Sequence, residues 1–174
     1  MNEHQKITIN VNGIDREFTA GKQDYLLDVL RGAGLTSVKR GCDTGDCGVC
    51  TVLLDGRPER SCLTRATEAD GRSLITVEGL AANGRVNPIQ QAFMDTGAIQ
   101  CGFCTPAQVL TTKALLDANP NPGEDEIREA LSGVLCRCTG YVKIVEAVQR
   151  AAAVLRGETV PPIAPVVQTS APDT

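Results

Sequence analysis

Eight cysteines divide into two groups of four along this 174-residue chain. The first group is Cys42, Cys47, Cys50 and Cys62, and the second is Cys101, Cys104, Cys136 and Cys138. The amino terminus is polar and lacks both the apolar segment of a secretory signal and a twin-arginine motif, so the sequence predicts a cytoplasmic protein. Because thiols stay reduced in that compartment, cysteines there are more often metal ligands than partners in disulfides.

The first group has the spacing C-x4-C-x2-C followed by a distant fourth cysteine, which is the plant-type spacing of [2Fe–2S] sites. Glycines flank or separate the ligands in segment 41–50, GCDTGDCGVC. With four thiolates such a cluster carries a charge of about −2 when oxidised and about −3 when reduced, so its burial requires donors directed at sulfur. Glycines let the loop wind tightly enough for successive backbone N–H groups to face the cluster.

A zinc site with four cysteine ligands is the alternative for this first group. Zinc ligands usually come as short pairs separated by a spacer, whereas three of these cysteines lie within one nine-residue loop. The spacing therefore favours iron–sulfur over zinc, and for this type of ligation the reduction potential is on the order of −400 mV.

The second group consists of a C-x2-C pair, Cys101 and Cys104, and a distant C-x-C pair, Cys136 and Cys138. Each pair precedes a predicted helix, and two helix N-termini side by side would favour an anionic cluster. A C-x2-C pair by itself also occurs in redox-active and zinc sites, although C-x-C is too tight for the usual zinc knuckle. The spacing favours a second iron–sulfur cluster and leaves those alternatives open.

The amino-acid composition restricts the size of the hydrophobic cores and the classes of partner that the chain can bind. Apolar residues make up 42% of the chain, but aromatic residues make up only 3% and there is no tryptophan. Small cores of this kind gain stability from a metallic cross-link. The formal charge is −4 and no block of lysine or arginine occurs, so nucleic acid and anionic membranes are not expected as main partners. No apolar run approaches the roughly 20 residues of a transmembrane helix.

The amino-terminal half has the pattern of strands around one helix, which predicts an α+β fold. The predicted elements are a hairpin of 6–11 and 14–18, a helix ended by Gly32, a second hairpin of 51–54 and 57–60, and a last strand at 73–77. Asn12-Gly13 and Asp55-Gly56 are turn residues that tolerate positive φ. Asp24 is the predicted N-cap of the helix.

Four helices are predicted beyond residue 80. They span about 87–97, 105–119, 124–131 and 141–155, and Asn87-Pro88 and Thr105-Pro106 open the first two as N-cap and N1 residues. Residues 81–86 are the predicted linker. Residues 157–174 are rich in Pro, Ala, Val and Thr and are predicted to form an extended tail. The predicted domains are therefore 1–80 and 81–156, followed by the tail 157–174.

Several segments resemble the small iron–sulfur subunit of the molybdenum hydroxylases, a family that includes xanthine dehydrogenase, aldehyde oxidoreductase and carbon monoxide dehydrogenase. The matching segments are LLDVLR at 26–31, GCDTGDCGVCTVLL at 41–54, SCL at 61–63, QCGFCTP at 100–106 and CRCTGY at 136–141. The resemblance covers about residues 5–156. It implies a plant-ferredoxin-like β-grasp domain followed by a four-helix bundle, with one [2Fe–2S] cluster in each.

The resemblance also implies a role and partners. In this family, substrate reduces a molybdopterin-type cofactor in a large molybdenum-binding subunit, and the electron passes to the helical-domain cluster and then to the ferredoxin-domain cluster. From there it reaches FAD in a medium subunit or another carrier. Gln100 and Cys138 match positions that lie against the pterin in relatives, so Cys138 is expected to be both an iron ligand and a pterin contact. The sequence departs from the family at Ala107, where glycine is usual, and at Val49, where alanine is common.

No catalytic residue is predicted in the chain itself. The only histidine is His4, and no G-x-G-x-x-G follows a strand, so no nicotinamide or flavin nucleotide is expected to bind here. Asp43 and Asp46 are expected to accept backbone hydrogen bonds that shape the first loop. Two other functions are alternatives: a free two-cluster ferredoxin, which would need neither the helical half nor QCGFCTP, and a zinc-stabilised binding module.

Overall fold

The computed structural model describes residues 4–81 and 84–162. The strands are β1 (His4–Val11), β2 (Ile14–Gly21), β3 (Thr51–Leu54), β4 (Arg57–Arg60) and β5 (Ser73–Ile75). The helices are α1 (Leu26–Gly32), α2 (Pro88–Asp95), α3 (Thr105–Ala118), α4 (Glu124–Leu131) and α5 (Val142–Leu155). Short 3-10 helices at Ala66–Ala69 and Val77–Gly79 flank β5. The protein is therefore a mixed α+β protein, as the sequence predicts.

The five strands form one mixed sheet in the order β2-β1-β5-β3-β4. β1 pairs antiparallel with β2 and parallel with β5, while β4 and β5 both pair antiparallel with β3. Successive side chains of a strand point to opposite faces, and the alternation in β1 buries Ile7, Ile9 and Val11. They share a core with the leucines of α1.

The turn between β1 and β2 has the predicted residues in left-handed conformations, with φ of 54° at Asn12 and 84° at Gly13. The Asn12 side chain accepts a hydrogen bond from the Thr76 N–H (2.8 Å) and donates one to the Thr76 hydroxyl (3.0 Å). Because Thr76 bonds to this side chain rather than to a strand, the strand predicted at 73–77 ends at Ile75. Val77–Gly79 then form a 3-10 turn.

Helix α1 has Tyr25 at its N-cap position, without a side-chain cap. The prediction that Asp24 is the N-cap was wrong. Its carboxylate instead accepts a hydrogen bond from the Gly21 N–H (2.8 Å) and closes the turn after β2. A helix N-cap and a turn of this kind both use the carboxylate of a short side chain as the acceptor, so the sequence pattern does not distinguish between these two roles of Asp24.

Helix α2 begins after Asn87, which caps it as predicted, since its side chain accepts a hydrogen bond from the Ile89 N–H at 2.9 Å.

Two later helices, α3 and α5, begin at or close to the cysteine loops. Helix α3 has Cys104 as its N-cap residue, one position before the Thr105 predicted for that role. Helix α5 follows Tyr141, whose φ is 68°. The chain therefore changes from loop to helix at or close to the candidate ligands.

Two large cores occupy the described residues. The first is made of β-strand, α1 and loop residues between Ile7 and Leu74. The second contains Leu53 of β3 together with residues between Leu80 and Ala152. A third, small cluster, here called the junction cluster, consists of Val49, Cys104, Ala107 and Val134. The division into domains near residue 80 stays a prediction at this point.

Parts of the predicted linker and tail, residues 82–83 and 163–174, lie outside the described residues. Among the helices of residues 4–81 and 84–162, none is long and apolar enough to cross a membrane.

Candidate metal centres

The first three cysteines lie on the irregular loop between α1 and β3, and the fourth follows β4. The loop adopts left-handed backbone at Asp43 (φ 73°), Gly45 (φ 87°) and Gly48 (φ 66°). Glycine takes this conformation without the steric penalty of a Cβ atom. At Gly41 a Cβ would lie 2.9 Å from the Cys47 Sγ. The glycines therefore allow the backbone to approach the thiols closely.

Hydrogen bonds connect the thiols of the first group. The Cys42 thiol receives hydrogen bonds from the backbone N–H of Cys47 and from the side chains of Thr44 and Cys47, which lower its pKa to about 6. Burial, followed by a hydrogen bond with the Cys50 thiol, raises the pKa of Cys62 to about 12. Burial also raises the pKa of Cys47, and the charge of Cys50 adds to this shift. All four thiols are thus close enough to influence one another.

Buried hydroxyl groups hold the backbone beside these thiols. The Ser61 hydroxyl donates to the Cys50 carbonyl at 2.7 Å, and the Thr51 hydroxyl donates to the Gly48 carbonyl at 2.6 Å. Both side chains are buried. The sequence reasoning missed them, although each one directly neighbours a candidate ligand along the chain.

The second group lies at the starts of α3 and α5. The Cys138 thiol donates to the Cys101 thiol, with 3.5 Å between the sulfurs. Cys104 is buried, and this burial, followed by its hydrogen bond with Cys136, raises its pKa to about 12. The charges of Cys101 and Cys136 both act on Cys104. The pairs 101/104 and 136/138, distant in sequence, therefore meet.

Several donors surround Cys136. Its sulfur lies 3.1 Å from the Thr139 hydroxyl. Burial opposes ionisation of this thiol, but hydrogen bonds from the Thr139 hydroxyl and from the N–H groups of Cys138 and Thr139 outweigh it and lower the pKa. The Cys136 N–H donates to the Tyr141 hydroxyl at 2.8 Å. The residues that follow Cys136 thus shape its own loop.

Both sets of thiols have the chemistry that a [2Fe–2S] cluster requires. Each set is connected through hydrogen bonds or charge interactions between its members. Backbone N–H groups and hydroxyls are directed at sulfur, which offsets the cost of burying an anionic cluster. All eight cysteines are free thiols. Across the described residues, no three His, Cys, Asp or Glu side chains form a group that could hold a single metal ion.

The two sets differ in exposure. Cys50 and Cys62 of the first set are buried, whereas Cys101 and Cys138 of the second are exposed. Gln100 is exposed beside Cys101, so the structure places both residues with a predicted pterin contact at the same exposed end. The contact itself stays a prediction.

The acidic residues of the first loop bind side chains rather than the backbone groups that the sequence reasoning expected. Asp43 accepts a hydrogen bond from Arg40 at 2.6 Å, and Arg40 also pairs with Asp28. Asp46 accepts from the Thr44 hydroxyl. The expectation was wrong because basic and hydroxyl side chains within a few residues compete with the backbone as donors.

Gln108 is a further residue that the sequence reasoning missed. It lies in α3, is fully buried, and its amide donates to the Val134 carbonyl at 2.8 Å, in the segment that leads to Cys136. The sequence alone does not show whether a polar residue within a predicted helix faces the interior or the solvent.

Comparison with known proteins identifies two iron–sulfur domains and several similar subunits. A family model described as "2Fe-2S iron-sulfur cluster binding domain" matches residues 9–81, and one described as "[2Fe-2S] binding domain" matches residues 76–149. The small FeS subunit of nicotinate dehydrogenase from Eubacterium barkeri is 51% identical over 146 residues, which is 83% of this chain and 93% of that one. The iron–sulfur-binding subunit of xanthine dehydrogenase from Escherichia coli O157:H7 is 46% identical over 153 residues, covering 85% and 96%.

Two solved structures of oxidoreductases superpose on this chain. A chain of quinoline 2-oxidoreductase from Pseudomonas putida 86 superposes with a TM-score of 0.84 at 46% identity, covering 90% of this chain and 99% of that chain. Aldehyde oxidoreductase from Desulfovibrio desulfuricans superposes with a TM-score of 0.85 at 45% identity, covering 88% of this chain and 17% of that longer chain. The protein therefore belongs to the molybdenum hydroxylase family as a small [2Fe–2S] iron–sulfur subunit, an electron-transfer subunit of an oxidoreductase.

Proposed function

We propose that this chain relays single electrons from a molybdopterin-type cofactor in a large molybdenum-binding subunit, through two [2Fe–2S] clusters, to FAD in a medium subunit. The observation that carries the proposal is the meeting of eight thiols in two sets of different exposure. The second set, in which Cys101 and Cys138 are exposed, suits exchange with a partner subunit, while the first set has no fully exposed cysteine. The family relationship supports the same order of transfer.

In this proposal Cys42, Cys47, Cys50 and Cys62 hold one cluster, and Cys101, Cys104, Cys136 and Cys138 hold the other. A bound [2Fe–2S] cluster supplies one-electron chemistry. The chain supplies thiolate ligands, donors directed at sulfur, and burial. Donors to sulfur and exclusion of water are the means by which a protein adjusts the potential of such a cluster.

The exposed end of the second set is the proposed contact with the large subunit. Gln100 and Cys138 would face the pterin there. Ile99 and Phe103, 38% and 45% exposed, flank the Cys101 loop, and apolar side chains of this kind are what a protein partner covers. The chain has no catalytic residue in this proposal, and substrate chemistry belongs to the partner.

We further propose that the mixed sheet with α1 is a β-grasp domain of residues 1–80 and that α2–α5 form a four-helix bundle of residues 81–156. The separate cores of the two halves support this division. Residues 157–174 form the proposed tail, of which residues 157–162 are described. Because the proposal uses all eight cysteines as iron ligands and leaves none for a disulfide, it favours the cytoplasm as the compartment.

The proposal is tested by isolating the complex anaerobically with its partners and analysing its metals and spectra. We expect about four iron and four sulfide per chain and two distinct EPR signals on reduction. Adding substrate to the oxidised complex should reduce both clusters, and the large subunit should co-purify with this chain.

Other outcomes would contradict it. A colourless chain with two zinc ions and no iron would establish a zinc-stabilised module instead. A chain that carries both clusters but is found alone at its native abundance would be a free two-cluster ferredoxin.

A further inference from the structure

The Thr139 hydroxyl lies beside a proposed ligand of the second cluster. Its oxygen is 3.1 Å from the Cys136 sulfur, and the same oxygen accepts a hydrogen bond from the Tyr141 N–H at 3.2 Å. A hydroxyl has one proton to donate and lone pairs with which to accept. Because the backbone N–H approaches a lone pair, the proton is available to the sulfur. An iron-bound cysteine is a thiolate, so in the loaded site only the hydroxyl can be the donor.

The turn that follows Thr139 has an unusual backbone conformation. Gly140 and Tyr141 both take left-handed φ values, of 61° and 68°. A residue with a bulky side chain takes such a conformation only where the surrounding structure imposes it. In this turn the Tyr141 N–H comes within hydrogen-bonding distance of the Thr139 oxygen. The turn therefore fixes the direction in which the Thr139 hydroxyl points its proton.

The Tyr141 side chain stabilises the same turn. Its hydroxyl accepts from the Cys136 N–H at 2.8 Å and donates to the Val134 carbonyl at 3.4 Å. These bonds and the two of the Thr139 hydroxyl are all partly buried, and a partly buried hydrogen bond is electrostatically stronger than one in water. Tyr141 thus orients Thr139 through its N–H and holds the backbone of Cys136 through its hydroxyl.

A threonine of the first group is arranged differently. The Thr44 hydroxyl is within reach of the Cys42 thiol, but it also donates to the Asp46 carboxylate. One proton cannot serve both acceptors fully, and a carboxylate is a strong competitor. The Thr139 oxygen instead has a backbone N–H as its second partner, which leaves the proton to Cys136.

We infer that the Thr139 hydroxyl is a fixed hydrogen-bond donor to the Cys136 sulfur and raises the reduction potential of the second cluster, with Tyr141 as the residue that positions it. This inference rests on the proposed function. A donor to sulfur stabilises the more negative, reduced state more than the oxidised state, because reduction changes the charge of the cluster from about −2 to about −3. The cluster gains one electron from the partner cofactor, and the hydroxyl keeps its own proton. A higher potential at this cluster favours that transfer.

The first test is Thr139→Val in the complete complex. Valine keeps the branched shape of threonine and removes the hydroxyl. The EPR signal of the second cluster is measured at a series of applied potentials, and it is identified as the signal that Cys101→Ser removes. At a fixed potential we expect the ratio of reduced to oxidised cluster to fall about three- to tenfold, where tenfold is about 59 mV for one electron. The potential of the first cluster should not change.

Two variants control this test. Thr139→Ser keeps a hydroxyl and should keep the potential close to that of the unsubstituted complex. Thr112→Val makes the same substitution on α3, where the buried hydroxyl donates to the Gln108 carbonyl on its own helix at 2.8 Å rather than to sulfur. It should leave the potential of both clusters unchanged.

A second measurement detects the donated proton directly. Electron–nuclear double resonance of the reduced second cluster in the unsubstituted complex should show a coupled proton that exchanges rapidly in D2O, as a hydroxyl proton does and a hydrogen-bonded backbone amide does not. Thr139→Ser should keep this coupling and Thr139→Val should lose it. A hydroxyl that served only to accept from the Tyr141 N–H would show no such coupling.

The outcomes separate the two claims. If the unsubstituted complex contains no iron, the proposed function is wrong. If it contains both clusters and Thr139→Val leaves the potential of the second cluster unchanged, the inference is wrong and the proposed function stands. A shifted potential without a rapidly exchanging coupled proton in the unsubstituted complex would also overturn the inference. If Thr139→Val fails to assemble the second cluster, the potential of Thr139→Ser and the coupled proton decide.

Discussion

At the scale of single residues, each set of thiols contains groups that ionise easily and groups that do not. Hydrogen bonds to Cys42 lower its pKa to about 6, whereas burial raises the pKa of Cys62 and Cys104 to about 12. Only the thiolate is an iron ligand. With the proposed ligands, cluster binding near neutral pH therefore removes protons from Cys62 and Cys104, while Cys42 is already largely ionised.

The retention of the clusters is expected to fall as the pH falls. Because binding releases protons, a higher proton concentration opposes binding, by about tenfold in affinity per pH unit for each proton released. The measurement is the visible absorbance of the anaerobic protein, equilibrated with a competing iron chelator from mildly alkaline to mildly acidic pH. Equal retention across this range would show that the thiols are not protonated in the unbound state.

Substituting a single cysteine ligand should remove one cluster and leave the other in place. Cys42→Ser is expected to halve the iron content, from about four to about two per chain, and to remove one EPR signal, since each cluster has its own four ligands. Cys101→Ser should remove the other signal. Iron analysis and EPR of the two variants make the comparison. Loss of both signals in either variant would contradict two separate clusters.

At the scale of elements, the β1–β2 turn both reverses the chain and forms hydrogen bonds with the segment after β5. Asn12 takes a left-handed φ of 54° and ties the turn to Thr76 beyond β5 through two hydrogen bonds. The hairpin at one edge of the sheet is thereby joined to the segment that leads into the helices.

Asn12→Ala is expected to lower the free energy of unfolding by about 2–3 kcal/mol, because it removes partly buried hydrogen bonds and places alanine at positive φ. The measurement is denaturant unfolding of the metal-loaded chain. Asn10→Ala is the matched control, since the Asn10 side chain bonds the exposed side chain of Asp15, and it should change stability by less than about 0.5 kcal/mol. Equal effects of the two substitutions would show that the tie to Thr76 is not significant.

At the scale of the whole molecule, β3 joins the two large cores. All four of its residues are buried, because the sheet is covered on both faces here. Val52 and Leu54 belong to the core with α1, and Leu53 belongs to the core of the helices. The strand alternation thus sends neighbouring side chains into different cores.

Leu53→Ala is expected to cost about 2–5 kcal/mol, since it leaves a cavity where the sheet meets the helices. Differential scanning calorimetry of the loaded chain should show a lower transition temperature. Val142→Ala is the control, because Val142 is 56% exposed, and its effect should be small. An unchanged transition in Leu53→Ala would mean that the helical core does not depend on β3.

Much of the fold could be predicted from the sequence because the signals are local. The Asn12-Gly13 turn, the Asn87 cap and the alternation in β1 each depend on a few neighbouring residues, and the structure contains all three. The spacing of Cys42, Cys47 and Cys50 is local in the same sense. The role of Asp24 was predicted wrongly because two local structures use the same oxygen.

The sequence by itself determined where the chain turns and which strand faces are apolar, since backbone preference and side-chain periodicity act over short distances, and its cysteine spacing predicted the sulfur ligands. Only the tertiary structure decided that Cys101 meets Cys138, that Gln108 is buried on Val134, and that Gly48 contacts Gly133. These contacts join residues that are far apart in the chain. The first two depend on how the helices beyond residue 80 pack together, and the third depends on how the two cores pack against each other. No short segment of the sequence contains that information.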